Sequence, residues 1–147
     1  MSPKRLLLWL ALTASPLAVA QAAQNQIVGN WREPGGSVIR IAPCHQDLCA
    51  TLVHVGPQAP TSFDIHNPDP ALRSQRLCGL RIGYGFHLTG SKHAEGGQLY
   101  DPKTGKTYHG EMTASGDNLN LRGYVGIPLF GRSETWARVT HPEPGCA

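Results

Sequence analysis

The sequence predicts an all-β protein whose antiparallel strands form an eight-stranded meander that closes into a barrel. Several short segments alternate apolar and polar residues with period two, which is typical of strands with one buried face. Turn residues separate these segments, and no long helical pattern interrupts them. An open meander of this length would expose two edges, so closure into a barrel is favoured, with a two-sheet β-sandwich as the alternative.

Residues 1–22 have the features of a secretory signal peptide. Lys4 and Arg5 precede the apolar run 6–12, and the small residues that follow suit cleavage near 20–23. The apolar run is shorter than the ~20 residues that cross a bilayer, so no membrane span is predicted. We therefore expect an exported protein, periplasmic or secreted, with a single barrel domain over residues 24–147.

The charge balance gives no reason to expect a nucleic-acid partner. The chain has 13 basic residues, and removing Lys4 and Arg5 leaves 11 against 10 acidic ones. A net charge near +1 (11 minus 10) provides no basic surface of the kind that phosphate backbones attract. The sequence specifies no oligomeric state.

The four cysteines predict disulfides, because exported proteins fold in an oxidising compartment. Three pairings are open. Cys44 and Cys49 flank four residues between two predicted strands, which favours a local bridge and leaves Cys78 for Cys146. Zinc bound by Cys44, His45 and Cys49 is the alternative, but no second ligand pair is evident. The seven histidines show no His–His pair at metal-binding spacing, so neither a metal site nor a cofactor is predicted.

The predicted strands cover most of the chain after residue 25. They are 26–33, 37–42, 49–55, 80–88, 98–100, 106–114, 119–125 and 133–139, with 89–97 as a loop. The connection 56–77 is rich in proline and polar residues, and Asp69 before Pro70 predicts a helix cap and a helical turn over 71–75. Long connections are often functional; a ligand lid and a simple cover over apolar barrel surface both fit.

No motif predicts a catalytic site. There is no G-x-S-x-G, and no free cysteine is expected as a nucleophile. Asp64, Asp69, Asp101 and Glu111 could supply a carboxylate pair of the glycosidase type, but Asp69 and Asp101 also fit ordinary capping and turn roles. We favour a protein that is not an enzyme.

Aromatic and arginine side chains on the later strands are the candidate ligand-binding residues: Tyr100, Tyr108, Arg122, Tyr124 and Trp136. On the last strands, five side chains form a cluster: Arg122, Tyr124, Arg132, Trp136 and Arg138. They fit a barrel mouth that binds a small polar or anionic molecule, with guanidinium groups holding a carboxylate. Alternatively, they lie outside the barrel and hold the connection 63–76.

The second interpretation is favoured, because alternation makes Leu119, Leu121 and Val125 the core face of their strand. In that interpretation the connection docks through its own polar residues. The loop-docking residues are Asp64, Asn67, Asp69 and Arg73.

Several short motifs, taken together, resemble a known family. They are Asp64…Asn67-Pro68-Asp69, Leu72-Arg73, Gly79-Leu80, Gly97…Tyr100-Asp101-Pro102…Gly105-Lys106-Thr107-Tyr108, Leu121-Arg122-Gly123-Tyr124-Val125-Gly126, Gly131-Arg132 and Thr135-Trp136…Arg138-Val139. Their order and spacing resemble the secreted bacterial family called domain of unknown function 2147. The resemblance implies no activity and no catalytic residue.

A second resemblance concerns how the barrel closes. Gly29-x-Trp31 on the first strand and Arg138 on the last are similar to the lipocalins and other calycin barrels. This resemblance implies that Trp31 and Arg138 pack together, with a cation–π interaction worth ~0.5–2 kcal/mol.

These observations favour a non-enzymatic, exported module that binds a small molecule. Two alternatives stay open: a hydrolase acting on envelope carbohydrate, and a structural or stress-associated envelope protein without a small ligand.

Overall fold

The computed structural model describes residues 25–141, 145 and 146; the predicted signal peptide lies outside this range. Eight strands make up the fold. They are β1 (Gly29–Arg32), β2 (Val38–Cys44), β3 (Asp47–His54), β4 (Arg81–Leu88), β5 (His93–Asp101), β6 (Lys106–Ser115), β7 (Asn118–Tyr124) and β8 (Arg132–Val139). Among the described residues, no helix has the length and apolar character that crossing a membrane requires.

The strands form one closed antiparallel barrel. Each strand pairs with its sequence neighbour, and β1 also pairs with β8, where Trp31 lies opposite Arg138. Closure satisfies the backbone groups that an open sheet would expose at its edges. The predicted eight-stranded barrel is confirmed, and the β-sandwich alternative is wrong.

Two predicted elements differ markedly from the structure, and one element was not predicted. Strand β5 starts at His93, within the predicted loop 89–97, because Gly96 (φ 75°) and a register shift between Ala94 and Gly97 interrupt the alternation. The helical turn after Asp69 is a 3₁₀ helix over Pro70–Leu72 rather than 71–75. A second 3₁₀ helix, Pro128–Phe130, was not predicted.

Trp31 and Arg138 close one end of the barrel. The Trp31 side chain is fully buried, and its Nε1 donates to the carbonyl of Ile27 at 2.7 Å. The Arg138 guanidinium lies 4.1 Å from the Trp31 ring centroid and donates to the carbonyl of Gln26 at 2.6 Å. A Cβ at Gly29 would lie 2.9 Å from Arg138 Nη1, so a glycine here leaves room for the guanidinium. This contact is the one that the calycin resemblance implied.

Phe86 fills the middle of the barrel. Its side chain is fully buried. A Cβ at Gly97 would overlap the Phe86 ring, whereas Cβ atoms at Gly110 and Gly83 would lie in tight contact with it, at 3.1 and 3.2 Å. The glycines on the neighbouring strands therefore make space for one large ring. Phe86, Met112, Leu119 and Trp31 belong to one cluster of buried apolar side chains, which packs the half of the barrel that Trp31 closes.

Both disulfides join the predicted partners. Cys44 pairs with Cys49 across the β2–β3 hairpin (Cα–Cα 5.7 Å), and Cys78 pairs with Cys146 (Cα–Cα 5.5 Å). The second bridge joins the end of the chain to the segment that precedes β4.

Candidate functional site

The other half of the barrel contains an open cavity of about 640 Å³. Its apolar wall consists of inward side chains from six strands: Ile39, Leu52, Ile82, Leu99, Leu121 and Trp136. The mouth is formed by the β1–β2 turn, the connection after β3, the β5–β6 turn and the loop after β7. This volume lies within the range of small-molecule pockets, ~300–1,000 Å³.

An ion pair bridges two of the turns at the mouth. Glu33 Oε2 lies 3.4 Å from Lys103 Nζ, and the same carboxylate accepts hydrogen bonds from the backbone amides of Gly35 (2.6 Å) and Ser37 (2.9 Å). Burial alone would raise the pKa of Glu33, but the amide hydrogen bonds and Lys103 outweigh it and lower this pKa below its ordinary value. Glu33 is therefore an ionised group at the rim.

Strand β8 contributes charged groups to the same cavity. Arg132, Glu134 and Trp136 all line it, since they share the inward face of the strand. Trp136 Nε1 donates to Glu134 Oε2 at 3.0 Å, so the indole is held by the carboxylate above it. Lys106, on β6, adds another positive charge to the lining. The site thus has an apolar floor and a rim of mixed charge.

The connection between β3 and β4 is anchored beside the mouth by a buried carboxylate. Asp64 is fully buried, and its Oδ1 accepts a 2.6 Å hydrogen bond from the Tyr100 hydroxyl on β5. Its Oδ2 accepts from Asn67 Nδ2 at 2.8 Å and from Gln75 Nε2 at 2.9 Å. Burial, and then the hydrogen bond to Asp64, raise the pKa of Tyr100 well above its ordinary range. Tyr100 therefore stays protonated and donates.

The other predicted docking residues shape the connection from within. Asn67 Oδ1 accepts from the amide of Asp69 at 2.9 Å, and Asp69 Oδ1 accepts from the amide of Ala71 at 2.9 Å. Arg73 Nε donates to the carbonyl of Asn67 at 2.8 Å. These contacts fold the connection into a compact unit, which the Phe63–Arg76 bridge closes at its base.

Arg122 holds a different loop from the one considered in the sequence analysis. Its Nε donates to the carbonyl of Pro128 at 2.8 Å, its Nη2 to that of Leu129 at 3.3 Å, and its Nη1 to Ser133 Oγ at 3.1 Å. Its side chain projects from β7 opposite to the inward Leu121 and is absent from the cavity lining. The guanidinium therefore fixes the loop after β7, not the connection 63–76.

That loop presents apolar side chains to solvent. Val125, Ile127, Leu129 and Phe130 have exposed fractions of 70%, 52%, 76% and 77%. Strand β7 ends at Tyr124, so Val125 does not continue the core face that alternation predicted. Val125 and Phe130 border the cavity, so one side of its mouth is strongly apolar.

Four of the five candidate ligand-binding residues border the cavity: Tyr100, Tyr108, Tyr124 and Trp136. Arg132, which the sequence placed in the same candidate cluster, also lines the cavity. Four further lining residues were not predicted: Glu33, Lys103, Lys106 and Glu134. The alternation of β8 could have indicated Glu134, because Glu134 lies two positions before Trp136 and therefore on the same face of the strand. Glu33 and Lys103 lie next to or within turns, where alternation carries no information.

Three of the four carboxylates considered for catalysis have structural roles in the fold. Asp64 is buried within the connection, where it accepts hydrogen bonds from Tyr100, Asn67 and Gln75, and Asp69 caps the first 3₁₀ helix. Asp101 accepts from the amide of Lys103 and from Thr104 Oγ1, within the β5–β6 turn. Glu111 lies outside the cavity lining.

A closed eight-stranded barrel with a cavity at one end is the architecture of the calycins, and a search of solved structures agrees. The chain is similar to a structure described as protein HP1028 from the human pathogen Helicobacter pylori, which belongs to the lipocalin family. The TM-score is 0.70 at 20% sequence identity, over 77% of this chain and 82% of the other. The likeness is one of fold.

Residues 29–138 match the family described as uncharacterized protein conserved in bacteria (DUF2147). The chain belongs to this family, as the motif series predicted. A comparison with curated proteins found no match.

Proposed function

We propose that this protein is an exported carrier or sensor that binds one small, largely apolar molecule in the barrel cavity without chemical conversion. The open cavity of about 640 Å³, with an apolar wall and a polar rim, carries the proposal. Contact with such a wall stabilises a bound ligand, because it removes apolar ligand surface from water, at ~25 cal/mol per Å². The similarity to a lipocalin-family structure adds support at the level of fold.

The rim restricts the chemistry of the ligand. The lining includes three acidic and three basic residues, namely Glu33, Asp101, Glu134, Lys103, Lys106 and Arg132. A ligand with an apolar body and one polar end could place its body against Leu121 and Trp136 and its polar end among these charges. The signal-peptide pattern and the two disulfides support an exported, oxidising location for this binding.

Tryptophan fluorescence tests the proposal in the chain without residues 1–22. This chain contains Trp31 and Trp136, since the third of the 3 tryptophans is Trp9. Titration with the apolar probe 1-anilinonaphthalene-8-sulfonate should change the emission of Trp136 and saturate at one molecule per barrel. Trp31→Phe should keep this response, and Trp136→Phe should lose it.

A cavity-filling variant makes the test specific. Gly123 lines the cavity, and a Cβ there would make only ordinary contacts, the nearest at 3.6 Å from Tyr108. Gly123→Phe should fill the space and abolish probe binding, whereas Thr135→Phe, on the outer face of β8, should not. Equal binding by both variants, or a probe that binds only unfolded protein, would contradict a cavity site.

A further inference from the structure

A histidine and two glutamates converge on the outer surface of the barrel, away from the cavity. His93 and Glu95 lie on β5 and Glu111 on β6, and one potential ligand atom from each lies within 4.8 Å of the other two. His93 Nε2 and Glu95 Oε2 are 3.3 Å apart. We infer that these three residues bind a divalent transition-metal ion of the Zn²⁺ type, independently of the proposed function of the cavity.

The fold presents these side chains to solvent because of strand alternation. Ala94, between His93 and Glu95, is fully buried and faces the core. Glu111 likewise precedes the fully buried Met112. The side chains of His93 and Glu95 are 34% and 54% exposed, so an ion could reach them from solution and keep water in its remaining positions.

The spacing and the charge suit such an ion. With ligand bonds of about 2.1 Å and a tetrahedral angle, two ligand atoms on zinc lie about 3.4 Å apart, close to the observed His93–Glu95 separation. Glu111 is half-buried, and one of its carboxylate oxygens lies within 4.8 Å of the ligand atoms of His93 and Glu95. Two carboxylates and a neutral imidazole bear a charge of −2, which balances a divalent cation, and this donor set favours Zn²⁺ over Mg²⁺ or Ca²⁺.

Thr113 is positioned to orient the imidazole. His93 Nδ1 lies 2.9 Å from Thr113 Oγ1, its cross-strand partner. A metal-binding histidine usually donates its other ring N–H to an oxygen, which fixes the tautomer and directs the free lone pair at the ion. When Nδ1–H donates to Thr113, both Nε2 and the Glu95 carboxylate are acceptors, and a cation between them satisfies both.

The neighbouring charged groups are engaged elsewhere. Arg122 lies opposite Glu111 across the β6–β7 pair, but its guanidinium is directed to the carbonyls of the loop after β7. His87 lies opposite Glu95 across the β4–β5 pair, and its Nδ1 is 2.5 Å from Asp47 Oδ1. Neither contact needs to break when an ion binds.

The test uses the full chain without residues 1–22 and without an affinity tag. Calorimetric titration with Zn²⁺ should show one ion per chain, and Co²⁺ should give visible absorption bands of a protein-bound ion. His93→Gln and Glu111→Gln should each weaken Zn²⁺ binding at least about tenfold. Thr113→Ala should weaken it about tenfold, the usual effect of losing an outer-shell partner, and Thr113→Ser should restore it.

His141→Gln is the matched control, because this exposed histidine follows β8 and lies outside the triad. It should bind Zn²⁺ like the parent chain. The inference is overturned if the parent chain shows no stoichiometric binding, if the triad variants bind as the parent does, or if His141→Gln weakens binding equally. In those cases His93 and Glu95 form only a surface hydrogen bond.

Discussion

The hydroxyl of Tyr100 donates a 2.6 Å hydrogen bond to the carboxylate of Asp64, 36 positions earlier in the chain. One partner lies on β5 and the other is buried in the connection beside the cavity mouth. This contact ties the connection to the barrel wall. It also makes a cavity-lining residue part of the support for the connection.

Tyr100→Phe is expected to loosen the connection and to destabilise the protein by about 1–3 kcal/mol, because a buried carboxylate loses one of its donors. Denaturant unfolding measures the cost, and amide hydrogen exchange over residues 64–77 should accelerate. Tyr84→Phe is the matched control, since Tyr84 donates to Gln98 Oε1 at 2.7 Å on the exposed surface. An equal cost for both variants would contradict a special role for the Asp64 contact.

The same residue predicts a dependence of stability on alkaline pH. Folding raises the pKa of Tyr100 above its ordinary value of 10.0, through burial and then through Asp64. Its contribution is therefore fully present below pH 10 and is lost as the pH rises toward the folded pKa. The difference in unfolding free energy between the parent and Tyr100→Phe should shrink above pH 10. A difference that stays constant up to pH 11 would count against the raised pKa.

Gly97→Ala is expected to destabilise the barrel by about 1–3 kcal/mol through overpacking. Its Cβ would overlap the Phe86 ring, whereas a Cβ at Gly123 would make only ordinary contacts. Gly123→Ala should therefore cost little in the same thermal and denaturant unfolding. Combining Gly97→Ala with Phe86→Leu should cost less than the sum of the single changes, and strict additivity would show that the ring is not the obstacle.

The two disulfides should differ in their contribution to stability. The chain-entropy model gives about 4 kcal/mol for Cys78–Cys146 and about 2 kcal/mol for Cys44–Cys49, since the sequence separations are 68 and 5. Replacing each pair by serine and measuring the unfolding free energy tests this order. A larger loss from the hairpin bridge would mean that strain or residual structure outweighs chain entropy.

Arg122→Gln is expected to release the loop after β7 while lowering global stability by no more than about 1 kcal/mol, because its hydrogen bonds are exposed. Amide exchange over residues 127–131 should accelerate, and the freed apolar side chains should increase self-association in light scattering. Arg40→Gln, which removes an exposed bond to Asn30, should change neither. If loop exchange is unchanged in Arg122→Gln, the guanidinium does not hold the loop.

Sequence alternation predicted a strand well where one face of the strand is buried and the other is exposed. On β6, for example, Gly110 and Met112 are buried, while Thr113 is exposed. It failed at the start of β5, where Gly96 and a register shift break the pattern. It favoured the outer face for Arg122 without deciding it, and it could not predict what the long side chain contacts, because that depends on the conformation of the loop after β7.

The site was harder to predict than the fold, for two physical reasons. An open cavity depends on the sizes of inward residues summed over many strands, such as Phe86 against Gly97 and Gly110, and no single segment reveals that sum. The outer triad combines His93 and Glu95 on β5 with Glu111 on β6. Because it contains only one histidine, no His–His spacing in the sequence indicates it.

The cavity opens among the turns at one end of the barrel, and the fully buried side chains of Phe86 and Trp31 occupy the other end. A molecule held in the cavity would enter and leave by the same route, and a competitor could not displace it from behind. Exchange of one guest for another would then be first order in the occupied protein and independent of competitor concentration. The residence time would be governed by the two structures that flank the opening. These are the connection that Tyr100 hydrogen-bonds through Asp64 and the apolar loop after β7 that Arg122 hydrogen-bonds.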